Sequence, residues 1–246
     1  MKKLLLLSAL LIFACSSDDG SDNNSNNYKL VANFNYSYTL DNTNLPVQYG
    51  NCTYNYDGNK LLNITGSTND GSFIVNYTYN ENNKISGIAN VTSGTSGEAE
   101  YDNQGRITTW TYTEIYEHSP DNLDVSVANF VYNQDGSVVL TWQENQESYT
   151  YLLDQNGNVV SVDNIYHYTY DNKNNPFKNI LGNGFFINSW ISGLTVLANG
   201  LNNNIITENG NIFNYTYDDD NYPISINSPN GTDDISNIQV TITYTN

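Results

Sequence analysis

A tyrosine-closed hairpin recurs along this chain, its first steps 23 and 22 residues and a later one 21, and it constrains the fold more than any other feature. The fullest copy is Glu98-Ala99-Glu100-Tyr101-Asp102-Asn103-Gln104-Gly105-Arg106-Ile107-Thr108-Thr109-Trp110-Thr111-Tyr112. Tyr101 closes the first arm. Asp102 to Gly105 make the turn, because Asp and Asn bond their own backbone and Gly takes positive φ without a steric penalty. The second arm alternates Thr with aromatic residues, the period of two that a half-buried strand requires. The unit sets the fold class and carries no activity.

Turn-opening residues fall at Asp57, Asn80, Asp102, Asn133, Asp154, Asp171 and Asp218. Two strands of ~8 residues with two short turns occupy about one such period, so each period is one hairpin. Neighbours joined by short loops pair antiparallel, and the product is a meander. Parity along single arms predicts an aromatic face and a Thr/Asn face. Phe73, Val75, Tyr77 and Tyr79 oppose Ile74, Asn76 and Thr78. Phe213, Tyr215 and Tyr217 oppose Ile212, Asn214 and Thr216, and Ile238, Val240, Ile242 and Tyr244 oppose Gln239, Thr241 and Thr243. An all-β sheet this long with one apolar face must curl around it, as a barrel, a half-barrel or a sandwich. A membrane barrel is not expected, since that needs an apolar outer band.

The extreme N-terminus is different. Lys2 and Lys3 precede an apolar run, Leu4 to Phe13, of signal-peptide length and too short to span a bilayer as a helix. Ile12-Phe13-Ala14-Cys15 resembles the bacterial lipoprotein cleavage box, with Phe13 bulkier than usual. The resemblance implies removal of residues 1–14, acylation of Cys15 and anchoring by several acyl chains, where a single chain would be marginal. Ser16 to Asn27 contains no apolar residue and is expected to form a flexible acidic tether spanning on the order of 20 Å. Asp18-Asp19 resembles the acidic signal that sends some Gram-negative lipoproteins to the cell surface, and it also suits a plain spacer. The repeated β-hairpin domain is expected over 28–246.

Acidic residues outnumber basic ones by 26 to 8, and loss of Lys2 and Lys3 would widen the balance to −20. That charge excludes nucleic acid as a partner and disfavours lying flat on anionic lipid. Acylated Cys15 would leave Cys52 unpaired, expected as a small buried residue in a strand. His118 and His167 have no nucleophile or metal partner at motif spacing. Asp218-Asp219-Asp220 lacks the alternation and distal Glu of a calcium loop and reads as turn chemistry. No enzyme, catalytic residue, metal or cofactor is expected.

The rhythm fails over 172–204. Phe177, Phe185, Phe186, Ile187, Trp190, Ile191 and Leu194 make the densest apolar cluster outside the strands. Ile187 to Leu197 is expected to form a short helix or a plug, covering one end or the aromatic face of the rolled sheet.

Tyr-x-Tyr-Asp-x-x-Gly-Arg resembles the tyrosine-aspartate repeats of large secreted shell proteins, and only Tyr101 to Arg106 keeps the full pattern. With the cleavage box and Tyr170-Asp171-Asn172-Lys173-Asn174-Asn175-Pro176-Phe177, the chain resembles a family of Gram-negative lipoproteins with a porin-like, curled antiparallel sheet. The resemblance covers roughly 28–246 and implies a fold and an outer-membrane location, on the cell surface or the periplasmic face. It implies no activity. Two function classes follow. One is a non-enzymatic structural or interaction protein of the envelope, partnered by the membrane through its anchor and by a surface protein. The alternative is a module that binds extracellular glycan by stacking on Trp110, Tyr112, Trp142, Tyr149 and Tyr151.

Overall fold

The computed structural model describes residues 28–41, 46–115, 123–184, 202–230 and 235–245. Seventeen strands form one antiparallel sheet. They are β1 (Val31–Leu40), β2 (Gln48–Asp57), β3 (Lys60–Thr68), β4 (Gly71–Tyr79), β5 (Ile85–Asn90) and β6 (Thr95–Tyr101). Next come β7 (Ile107–Ile115), β8 (Leu123–Tyr132), β9 (Ser137–Trp142), β10 (Ser148–Leu153), β11 (Val159–Val162) and β12 (Tyr166–Tyr170). The last are β13 (Ile205–Glu208), β14 (Asn211–Ile212), β15 (Asn214–Tyr217), β16 (Pro223–Ser228) and β17 (Ile235–Tyr244).

Each strand pairs with its successor except β14 with β15, and β1 pairs with both β2 and β17, so the meander returns on itself as a nearly closed barrel. The seam is long: Val31 faces Tyr244 and Leu40 faces Ile235. An irregularity falls at Phe213, where β14 serves β13 and β15 serves β16, with the Phe213 N–H bonded to Ile206 O at 3.0 Å.

All the Tyr-Asp turns stand at one end of this barrel, together with the start of β1 and the end of β17. Four of them share a construction. Asp102 Oδ1 accepts the N–H groups of Gln104 and Arg106 at 2.9 and 3.0 Å. Asp154 does the same for Asn156 and Asn158, Asp218 for Asp220 and Tyr222, and Asn80 for Asn82 and Lys84. A register shift sits at the strand end entering six turns, for instance between Glu100 and Tyr101 and between Thr169 and Tyr170. Asp218 is therefore a turn residue, as its sequence suggested. It also bonds Lys29 at 2.6 Å.

The aromatic face turns inward. Tyr77, Phe213, Ile238, Val240 and Ile242 are buried, while Asn76, Thr78, Gln239 and Thr241 are exposed. The outer wall is laced with polar side-chain bonds such as Asn33–Thr243 at 3.1 Å, Asn55–Asn63 at 2.8 Å and Thr169–Thr207 at 2.6 Å. Exposed apolar residues, among them Leu62, Ile74, Val131, Leu152, Ile212 and Ile224, stand between these polar pairs. Cys52 is buried at 3%, and burial pushes its thiol up to about 11.

A barrel of this many strands is too wide for its wall side chains alone to fill. The described part of the irregular stretch enters at the turn end and runs around the inner rim as a strap. Asn174 bonds Asp220 O and Asn221 O. Fully buried Phe177 packs between Phe34 of β1 and Tyr54 of β2, ring centroids 6.0 and 5.9 Å apart. Leu181 N–H then bonds Asn59 O at 2.9 Å, and Gly182 O accepts from Ile85 at 3.4 Å. Gly184 ends beside Ile107 of β7. Through Gly184 the stretch lies against the turn-end rim. Residues 185–201, including Phe185, Phe186 and Ile187 to Leu197, lie outside the described residues.

Two glycines test these elements separately. Gly136 has φ 88° with open space around its missing side chain, so Gly136→Val probes backbone strain alone. The urea midpoint should fall by the equivalent of about 1 kcal/mol or more. An unchanged midpoint would contradict the turn. Gly182 has φ 71°, and a Cβ there would meet Asn83 O at 2.3 Å. Gly182→Ala should cost more than about 2 kcal/mol by displacing the strap, with increased binding of a dye that reports apolar surface.

Candidate functional site

The aromatic residues named from the sequence all sit on the inner wall. Trp110 of β7 faces Ala99 and Ala128 and is fully buried. Trp142 of β9 faces Ala128, Tyr149 of β10 faces Leu140, and Tyr151 faces Val138 and Val162. Tyr112 lies two positions beyond Trp110, opposite Gly97 and Ser126. Tyr112, Trp142, Tyr149 and Tyr151 are half-buried and pack on the core. They form one face but are not a surface array on the outside of the strands, because the sheet curls toward them. Trp110, with no accessible area, offers no ring to a sugar.

Rings lie flat against this wall where a glycine faces them. A Cβ at Gly97 would stand 2.0 Å from the Trp110 ring, at Gly50 2.4 Å from Tyr36, and at Gly66 2.5 Å from Phe73. Tyr36 and Tyr38 stack with centroids 6.2 Å apart. Toward the end away from the Tyr-Asp turns, Tyr36, Tyr38, Phe73, Tyr112, Trp142 and Tyr149 are half-buried and pack against the core. Carboxylates join them at the rim. Glu114 faces Asp124 directly across β7 and β8, and Glu147 accepts from the Tyr149 hydroxyl at 3.3 Å.

At the opposite end the tyrosines are structural. The Tyr101 hydroxyl donates to Ile85 O at 2.5 Å, Tyr170 to Val159 O at 2.6 Å, Tyr215 to Ile205 O at 2.6 Å and Tyr244 to Pro223 O at 2.7 Å. Tyr79 accepts from Leu61 N–H at 2.8 Å. Cations cover the rings: Lys60 lies 5.5 Å from the Tyr79 ring, and the Arg106 guanidinium 4.4 Å from the Tyr132 ring. Lys29, held by Asp218 and Asp220, lies 5.5 and 5.6 Å from the rings of Tyr222 and Tyr244.

The Tyr170–Phe177 motif builds a buried polar knot that sequence reasoning missed as a structural unit. Asp171 receives the Tyr217 hydroxyl and the Asn204 amide, Asn175 Oδ1 accepts Phe177 N–H at 2.9 Å, and Asn202 N–H bonds Asn158 Oδ1 at 3.2 Å. Asn158, Asn175 and Asn204 are buried. The signal was the density of Asn in 172–175 and 202–204, which reads equally as an ordinary loop.

Two open polar grooves lie at the turn end. One of about 580 Å³ separates the β4–β5 and β6–β7 turns, lined by Asn82, Lys84, Ser86, Glu100, Tyr101 and Gln104. Another of about 470 Å³ surrounds Lys29. Both follow from hairpins standing side by side. His167 projects from β12 as an exposed residue, and His118 lies outside the described residues. Among the described residues no group of three or more His, Cys, Asp or Glu is placed to hold a metal ion.

No protein-family model matches the chain, and no curated protein matches it. Among solved structures, the chain is similar to a porin-like protein from Bacteroides uniformis ATCC 8492. The identity is 12%, with 87% of this chain and 98% of that one covered and a TM-score of 0.45. It is also similar to a porin-like protein from Bacteroides vulgatus ATCC 8482, at 13% identity, 89% and 99% coverage and a TM-score of 0.46.

Burial gives the inner wall a titration signature. Desolvation pushes the hydroxyls of Tyr79, Tyr132 and Tyr151 up to about 12 from an ordinary 10.0. Folding favours the neutral ring, so its contribution is intact below pH 10 and is lost as pH rises toward 12. The bulk of the tyrosinate absorbance should therefore appear together with loss of the β circular dichroism signal, above pH 10. A full tyrosinate signal from a still-folded barrel would mean that the rings face water.

Proposed function

We propose that this chain is a lipid-anchored protein of the Gram-negative envelope, held in the outer membrane through Cys15 and displayed at the cell surface. It works without catalysis, as a structural or interaction protein. One observation carries the proposal: a signal-like segment ending at Ile12-Phe13-Ala14-Cys15 is joined by a polar stretch of 12 residues to a barrel whose outer wall is laced with polar side-chain pairs. Such pairs suit water, and acylation of a tether is the means that keeps such a domain at a membrane.

The glycan-binding alternative keeps a physical basis at the far rim, where Tyr112, Trp142 and Tyr149 are half-buried with Glu147 beside Tyr149; Tyr151 lies nearer the turn end. Trp110 drops out of that set.

Cells expressing the chain and fed a clickable fatty acid should label the protein, and Cys15→Ser should abolish labelling and membrane partitioning. Undiminished acylation of Cys15→Ser would overturn the anchor.

A further inference from the structure

At the Tyr-Asp-turn end, β5 and β6 pair last at Gly87 and Glu98 and then part, and the Tyr101 hydroxyl crosses the gap to Ile85 O at 2.5 Å. Comparable rings carry one of the chain's own cations: Lys60 on Tyr79, Arg106 on Tyr132 and Lys29 on Tyr244. Among the described residues Tyr101 carries none. Lys84 precedes β5 as Arg106 precedes β7, yet it lies across the mouth of the gap and off the ring. A Cβ at Gly105, on the opposite bank, would stand 3.1 Å from its Cε and 3.6 Å from its Nζ. Of the six basic residues after position 3, Lys84 is the one whose charged group meets no partner within the described structure.

The groove of about 580 Å³ between the two turns surrounds this ammonium, and ligand sites commonly hold ~300–1,000 Å³. Its wall differs from that of the second groove, where Lys29 is held by Asp218 and Asp220. Here the side chains of Asn82, Lys84, Ser86, Glu100 and Gln104 bond to no other described residue. Tyr101, fixed through its hydroxyl, lines the groove with them.

These groups define a ligand. The amides and the hydroxyl both give and take hydrogen bonds, Lys84 gives one with a charge and Glu100 takes one with a charge. An apolar ligand would leave them unpaired, and a cationic one would meet Lys84. A sugar offers hydroxyls that both donate and accept, and a C–H face that can lie on a ring. The formal charge of −18 repels a polyanion, while one free ammonium attracts one acid. We propose that the β5–β6 groove binds a saccharide bearing a single carboxylate, with the acid on Lys84 and the hydroxyls on Asn82, Glu100 and Gln104. The site lies at the opposite end of the barrel from Tyr112 and Trp142, and it does not rest on the anchored reading.

A printed array tests it, carrying oligosaccharides capped by one uronic acid, the same chains capped by a neutral hexose, and polymers sulfated along their length. The full chain in detergent should bind the uronic-acid caps. Binding should fall several-fold in Lys84→Met, which keeps the apolar stem, and in Gln104→Ala, with the urea midpoint of both variants unchanged. On the unsubstituted chain, saturation with a uronic-acid-capped oligosaccharide should slow acetylation of Lys84 several-fold and leave Lys178 as it was. No binding to any saccharide, a preference for neutral caps or sulfated polymers, full binding by both variants, or equal slowing at Lys84 and Lys178 would overturn the site. A chain that cells fail to acylate can still bind the array, so this proposal and the anchored one fail separately.

Discussion

The barrel is held where its strands stop pairing. At the Tyr-Asp-turn end the register shifts by one residue at six of the turns, and neighbouring strands part. The last regular pairs are Gly87 with Glu98, Ser161 with His167 and Ser225 with Thr241. Beyond them the tyrosine hydroxyl crosses the widening gap and bonds the backbone of the adjacent strand: Tyr101 to Ile85, Tyr170 to Val159, Tyr244 to Pro223. Each bond is worth about 1 kcal/mol net, and each ring adds buried area and, in several cases, a cation over its face. Phenylalanine would fill the same space and leave a strand-end carbonyl without its partner. This explains why the repeat specifies tyrosine, and why aspartate must follow it to turn the chain without further backbone donors left open.

The strap depends on that girdle. A wide ring of hairpins has no reason to keep one end closed unless something ties successive turns together. The stretch after Asp171 does so with backbone groups, to Asn221, Asn59 and Ile85 in turn, and with one buried ring, Phe177. Its departure and return are fixed by amides. Asn158, Asn175 and Asn204 are buried only because each finds partners in the knot, which avoids the penalty of an unsatisfied amide.

Local elements were legible in the sequence because their causes are local. Strand positions, the inward parity of Tyr77 and Val240, the turn role of Asp218 and the positive φ of Gly105 and Gly136 follow from alternation and turn chemistry. Closure was not legible. The β1–β17 pairing joins Val31 to Tyr244, and nothing within either strand says that its partner is the other end of the chain. The direction of curl was equally hidden. It decides whether Trp110 and Tyr149 face solvent or a lumen, and the clue is that Gly97 lies opposite the Trp110 side of the ladder. That clue exists only once the register is known.

The two ends of the barrel are built under different constraints, and this bears on where recognition can reside. Four turns at the Tyr-Asp-turn end, opened by Asn80, Asp102, Asp154 and Asp218, commit their first side chain to the backbone in the same way. Far-end connections carry no such rule. They range from the tight turn at 69–70 between β3 and β4 to the stretch 116–122 between β7 and β8. Variable connections on a rigid scaffold are where binding residues accumulate. Glu114 and Asp124, directly opposite on adjacent strands at that rim, stand on two such strand ends, two positions beyond half-buried Tyr112.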